Sequence, residues 1–137
     1  MAGVIGIGGV FVKFKDPALM KQWYANVLGL TTNDYGVLFE FGGENTSKGY
    51  LQLGTFEEST EYFGSPKQQT MINFRVDDLV AFKKQLEEHK VTIINEIDEY
   101  SYGKFLHIED PEGNRLELWE PVDAEFEANE KSVMPMR

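Results

Sequence analysis

The chain repeats itself, and the repeat limits its fold more than any other feature. Val12, Phe14, Asp16, Met20 and Tyr24 match Phe74, Val76, Asp78, Phe82 and Leu86 at a constant offset of 62. In each copy an alternating apolar stretch runs into Asp and then into apolar residues at helical spacing. Alternation is the period of a half-buried strand, and spacings of three and four are those of a helix. Each copy ends in Leu-x-Leu, as Leu51-Gln52-Leu53 and Leu116-Glu117-Leu118. The unit is therefore a strand, a helix and further strands. One unit covers one sheet face with its helix and leaves the other naked, and two units can turn those naked faces toward each other. The expected fold is α+β, with two tandem βαβββ modules whose sheets curl into an open, barrel-like cup. A single domain spans 1–137, with a first module at 5–54, a connector at 55–69, a second module at 70–121 and an acidic C-terminal tail at 122–137.

Tyr102 to Pro121 carries the clearest local signal. Asp110-Pro111-Glu112-Gly113-Asn114 supplies a turn: Pro presets φ, Gly and Asn tolerate positive φ, and Asp bonds its own backbone. Leu106 and Ile108 share one face before the turn, and Leu116 and Leu118 share one after it. A one-residue slip would send one pair to the wrong side, so the pattern sets the register. Centred on Glu112, it places Glu109 opposite Arg115, His107 opposite Glu117 and Phe105 opposite Trp119. Side chains directly opposed in this way are close enough to interact.

The rest of the chain fits the repeat. Residues 8–14 read as a strand. Gly6-Ile7-Gly8-Gly9 precedes a strand rather than a helix, which rules out a phosphate-cradling loop. Asp16-Pro17 starts a helix, Leu19, Met20, Trp23, Tyr24, Val27 and Leu28 follow its period, and Gly29 stops it. Trp23 and Tyr24 are expected in the core. Val37, Phe39 and Phe41 form a strand, Gly42 to Asn45 a turn, and Tyr50 to Leu53 another strand. Residues 54–69 show no period. Met71 to Val76 is a strand, Asp77 or Asp78 caps a second helix, His89 sits exposed at its C-terminal end, and Val91 to Ile97 is a strand. The tail holds a short helix or frays.

Composition removes several classes of function. The chain has no cysteine, hence no disulfide, thiol nucleophile or thiolate metal site. This fits a reducing, cytoplasmic setting. The first residues lack the charged region of a signal peptide, and no apolar run approaches the ~20 residues of a membrane span. A net charge of −10 argues against nucleic-acid binding.

The face turned away from the helices would line the cup. It carries Gly9, Phe11 and Lys13 in the first module, with Tyr50 and Gln52. It carries Met71, Asn73 and Arg75 in the second, with Phe105, His107, Glu109, Arg115, Glu117 and Trp119. Aromatic residues with a few polar groups suit a small-molecule pocket. The same face could instead pack against another chain.

These features resemble the vicinal oxygen chelate superfamily, which includes glyoxalase I, extradiol dioxygenases and bleomycin- and fosfomycin-resistance proteins. Gly8-Gly9-Val10-Phe11, Asp16-Pro17, Trp23-Tyr24 and Leu28-Gly29-Leu30 are similar to its first unit. Phe74-Arg75-Val76-Asp77-Asp78-Leu79 and Asp110-Pro111-Glu112-Gly113-Asn114-Arg115-Leu116-Glu117-Leu118 are similar to its second. The resemblance implies metal positions at the first and last strands of each unit. Here these are Gly9, Met71, Gln52 and Glu117, and only Glu117 is a regular ligand of the family. His107 could join Glu117 and Gln52, though not in the family's arrangement. The resemblance therefore implies a member without the usual divalent metal and without another cofactor. It also implies a homodimer.

Three functions compete. The first is binding of a small organic molecule, with Phe11, Lys13, Gln52, Met71, Asn73, Arg75, Phe105, Arg115 and Trp119 as ligand contacts. The second is catalysis, either metal-free by an isomerase or lyase using His107 and Glu117 as the acid–base pair, or metal-dependent as in lyases and dioxygenases of the glyoxalase type. The third is an interaction protein whose own aromatics fill the cup.

Overall fold

In the computed structural model, which describes residues 2–42, 48–127 and 133–135, the two repeats build the same unit twice. The first runs through β1 (Val4–Phe14), α1 (Pro17–Leu28), β2 (Thr32–Asn33), β3 (Gly36–Phe41) and β4 (Gly49–Glu57). The second runs through β5 (Thr70–Val76), α2 (Leu79–Glu88), β6 (Thr92–Ile93), β7 (Asp98–Tyr100), β8 (Gly103–Glu109) and β9 (Arg115–Pro121). α3 (Ala124–Glu127) and β10 (Val133–Pro135) follow. The turn expected at Gly42 to Asn45 lies mostly outside the described residues.

Both long helices start as the sequence indicates. Asp16 accepts the Leu19 N–H at 3.0 Å, and Pro17 opens α1. Asp78 accepts the Ala81 N–H at 3.1 Å. Such caps satisfy donors that the first helical turn leaves orphaned. Gly29, at φ 71°, takes the left-handed conformation that ends α1.

The strands form one curled, unclosed sheet in the order β10-β3-β4-β1-β5-β9-β8-β6, with β2 beside β3 and β7 beside β8. In each module the strand before the helix pairs in parallel with the last strand, β1 with β4 and β5 with β9. The modules join where β1 and β5 run antiparallel. The β8–β9 hairpin has the register read from its alternation, with His107 opposite Glu117 and Phe105 opposite Trp119.

Three local expectations need correction. Of the Val91 to Ile97 run only Thr92–Ile93 (β6) is strand; β7 begins after it at Asp98, and the two pair separately with β8. Between them the Asn95 side chain accepts the His107 N–H at 3.0 Å, taking the place of a backbone partner. Arg115 opposes Glu109 in register, but no ion pair joins them among the described residues. Its guanidinium lies over Gly64 and donates weakly to the Tyr62 carbonyl at 3.4 Å. The third correction concerns α1. Leu19, Trp23 and Val27, spaced four apart on one stripe, are 59%, 47% and 60% exposed, and no α1 residue is buried.

The two modules differ sharply here. Under α2, Val76, Leu79, Leu106, Ile108 and Leu118 form a buried cluster. Burying such side chains contributes about 1.5–3 kcal/mol each. The matching face under α1 carries Val10, Val12, Phe14, Leu51 and Leu53, all only half-buried. The apolar core between helix and sheet is thus much better developed in the second module, which also carries Asn73, His107 and Glu117.

Candidate functional site

Strand register assembles the floor. Gln52 pairs with Gly9 across β4–β1, Gly9 with Asn73 across β1–β5, Asn73 with Glu117 across β5–β9, and Glu117 with His107 across β9–β8. Because side chains alternate, this whole row points to one face. Glu117 is 1% exposed. Its Oε1 accepts from Asn73 Nδ2 at 2.7 Å, and its Oε2 lies 2.8 Å from His107 Nε2. The Tyr62 hydroxyl also donates to Oε2. A buried carboxylate needs such donors to offset its lost hydration.

These partners orient the histidine. With Oε2 as acceptor, the proton on the ring sits on Nε2. Nδ1 makes no hydrogen bond to a described residue, and the side chain lines the cavity. It is the ring nitrogen left for a ligand.

Tyr62 comes from the connector, and no pattern in the sequence marks it as a site residue. Its ring stacks on Phe56 at 5.6 Å and meets His107 edge-on at 4.8 Å. The ring is partly exposed, but the hydroxyl end is withdrawn from water against a carboxylate. Burial, followed by the Glu117 charge, pushes the phenol pKa far above its ordinary 10.0. The folded chain then keeps a proton that the unfolded chain releases above about pH 10, so this group's stabilisation fades from there upward. Tyr62 is expected to stay protonated in the native protein at a pH where an ordinary tyrosine ionises. Tyr62→Phe should leave the phenolate absorbance amplitude below about pH 11 unchanged. Loss of one tyrosine's amplitude would contradict the assignment.

The cavity measures about 660 Å³. Of the residues named from sequence, Phe11, Gln52, Asn73, Phe105, His107, Glu117 and Trp119 line it. Lys13, Met71, Arg75 and Arg115 do not. Lys13 Nζ donates to the Ser65 carbonyl at 3.3 Å and sits over the Phe63 ring. Met71 packs with Phe11 and Phe63. Arg75 is held bidentately by Asp123, at 3.1 and 2.6 Å, and donates to the Tyr50 carbonyl. That clamp lies just before α3, whose Phe126 packs on Tyr50 and Trp119.

Further walls come from the end of β4 (Phe56), from α3 (Phe126) and from loops and a short strand (Tyr35, Tyr100, Tyr102), with Asp34, Asp98 and Glu125 exposed among the lining residues. Tyr100 and Tyr102 stack at 5.3 Å, and Phe105 lies parallel to Trp119 at 5.9 Å. Gly8 makes the floor possible. A Cβ there would stand 2.3 Å from Asn73 Oδ1 and 2.8 Å from Trp119.

Gln52 Nε2 donates to the Val37 and Leu53 carbonyls at 3.1 and 3.0 Å. Among the described residues, no group of three His, Asp or Glu side chains could hold a metal ion.

Comparison with known proteins agrees with this architecture. The Glyoxalase/Bleomycin resistance protein/Dioxygenase superfamily model matches residues 6–118. Methylmalonyl-CoA epimerase from Mycobacterium tuberculosis is 20% identical with a TM-score of 0.60, over 87% of this chain and 89% of that one. A single-substitution variant of Streptomyces coelicolor methylmalonyl-CoA epimerase, solved with 2-nitronate-propionyl-CoA, is 14% identical with a TM-score of 0.67, over 88% and 99%. A Legionella pneumophila structure described as NAD-dependent benzaldehyde dehydrogenase is 18% identical with a TM-score of 0.54, over 82% and 97%. At these identities the likeness is one of fold. No curated protein matches the chain by sequence.

Proposed function

The chain belongs to the glyoxalase/bleomycin resistance protein/dioxygenase superfamily, and on that footing we propose that it binds a small organic molecule in its cup without the superfamily's usual divalent metal. The observation that carries this reading is the cavity of about 660 Å³, walled by aromatics over a fixed polar floor. Ligand sites combine these features. The donor chemistry speaks against a metal. Gly9 and Met71 offer no oxygen or nitrogen side-chain donor, and both Glu117 oxygens already accept hydrogen bonds. No step here runs through a metal.

The ligand of the Streptomyces coelicolor neighbour does not transfer. A coenzyme A ester carries phosphates, and Asp34, Asp98 and Glu125 line this cup, whereas none of the described lining residues is Lys or Arg. A screen of aromatic small molecules by calorimetry tests the binding reading. Saturable binding lost on filling the cup with Gly54→Trp supports it, and unchanged binding in that variant contradicts it.

The His107 geometry favours a second reading, metal-free acid–base catalysis. Glu117 holds Nε2–H, leaving Nδ1 to take a proton from a bound ligand. Once a substrate is found, full turnover by His107→Ala would end this reading.

A homodimer in the cytoplasm completes the proposal. The exposed Leu19, Trp23 and Val27 stripe supports the dimer, since apolar patches on a helix mark contact surfaces. Sedimentation equilibrium should find a dimer that Trp23→Glu dissociates; a wild-type monomer contradicts it.

A further inference from the structure

We propose that the cup is selective for a flat aromatic cation carrying an N–H donor. This rests on the binding reading and gives it a ligand class. The first observation is charge. Asp34, Asp98 and Glu125 are exposed on the cavity lining and Glu117 lies at its floor, while among the described residues no Lys or Arg lines it. The cations that alternation places on this face are engaged elsewhere: Lys13 with Ser65, Arg75 with Asp123, and Arg115 with the Tyr62 carbonyl. A concave site with carboxylates of one sign concentrates the opposite charge.

The second observation is the walls. Tyr100 with Tyr102, Phe105 with Trp119, and Phe56 with Tyr62 present parallel ring pairs. Ring faces attract both flat π-systems and cations. Arg75 already lies 5.5 Å from the Trp119 ring centre, and its charge is matched by Asp123, so it does not cancel the field of the lining carboxylates.

The third is an unfilled acceptor. Asn73 is 1% exposed, and its Nδ2 is committed to Glu117. Its Oδ1, next to Gly8, is buried with no hydrogen-bond donor among the described residues. Buried acceptors in native proteins almost always find a donor. A ligand N–H can supply one, whereas a carboxylate or phosphate would bring a further acceptor toward Glu117.

Calorimetry with three tricyclic probes of matched size tests the class: 9-aminoacridine as the cation, acridone as the neutral form and anthracene-9-carboxylate as the anion. The cation should bind about tenfold tighter than either of the others, a difference of about 1.4 kcal/mol. Raising the salt should weaken it. The combined variant Asp34→Asn, Asp98→Asn, Glu125→Gln should lose most of the cation's advantage over acridone, which also carries an N–H; an undiminished advantage would contradict the role of these carboxylates. Equal or reversed affinities in the wild type would overturn the cation class while leaving the cup as a binding site. Failure of all three probes to bind would remove the binding reading as well.

Discussion

Leu118→Ala is expected to lower the unfolding free energy by about 3–4 kcal/mol, and its counterpart Leu53→Ala by about 1 kcal/mol. Both leucines close a Leu-x-Leu at the end of a module, so sequence makes them equivalent. Their surroundings do not. Leu118 is 2% exposed among Val76, Leu79, Leu106 and Ile108. Truncation there removes transfer free energy and leaves a cavity that a sheet packed against a helix cannot close. Leu53 is half-buried beneath a helix that buries none of its own residues, and water can fill the space. Urea denaturation at one protein concentration gives both values. Equal losses would contradict the unequal cores.

Glu117→Ala is expected to cost about 2–4 kcal/mol, because it leaves buried Asn73 and His107 donors unmatched. Glu117→Gln separates structure from chemistry. Its amide oxygen can still face Asn73, which leaves its NH₂ toward His107. The imidazole must then accept at Nε2 and carry its proton on Nδ1. The fold should survive with a loss of about 1 kcal/mol, but the two ring ¹⁵N resonances should exchange character. That reversal removes the acceptor offered to the cup. Unchanged histidine resonances in Glu117→Gln would mean that Glu117 does not set the tautomer.

The His107–Glu117 pair was legible because two independent rules agree in one hairpin. Turn chemistry at Asp110 to Asn114 fixes where the chain reverses, and aliphatic alternation fixes which residues face each other. Alternation also names the face of Lys13, Arg75 and Arg115. It does not say where a long side chain carries its charged end, and in each case that end turns to a loop or to the segment before α3. Tyr62 was hidden for a different reason. It stands in a connector without periodicity, brought to Glu117 by contacts distant in sequence. The one local hint is the Tyr62-Phe63 pair in an otherwise polar loop. Tyr35, Tyr100, Tyr102 and Phe126 share this origin in loops and short elements. On α1, apolar residues cover too wide an arc for one sheet contact, so sequence marks Trp23 as apolar without saying what meets it.

The most direct test of the cup as a binding site follows its own reporters. In a Trp23→Phe background the remaining tryptophan is Trp119, whose indole N–H donates to the Tyr102 carbonyl at 3.2 Å. Amide and indole ¹H–¹⁵N spectra would be recorded while an aromatic fragment collection, including 9-aminoacridine, is titrated. Saturable shifts at the Trp119 indole and the Asn73 side-chain amide are expected. Shifts confined to α1, or none at either reporter, would show that small molecules do not occupy this cup.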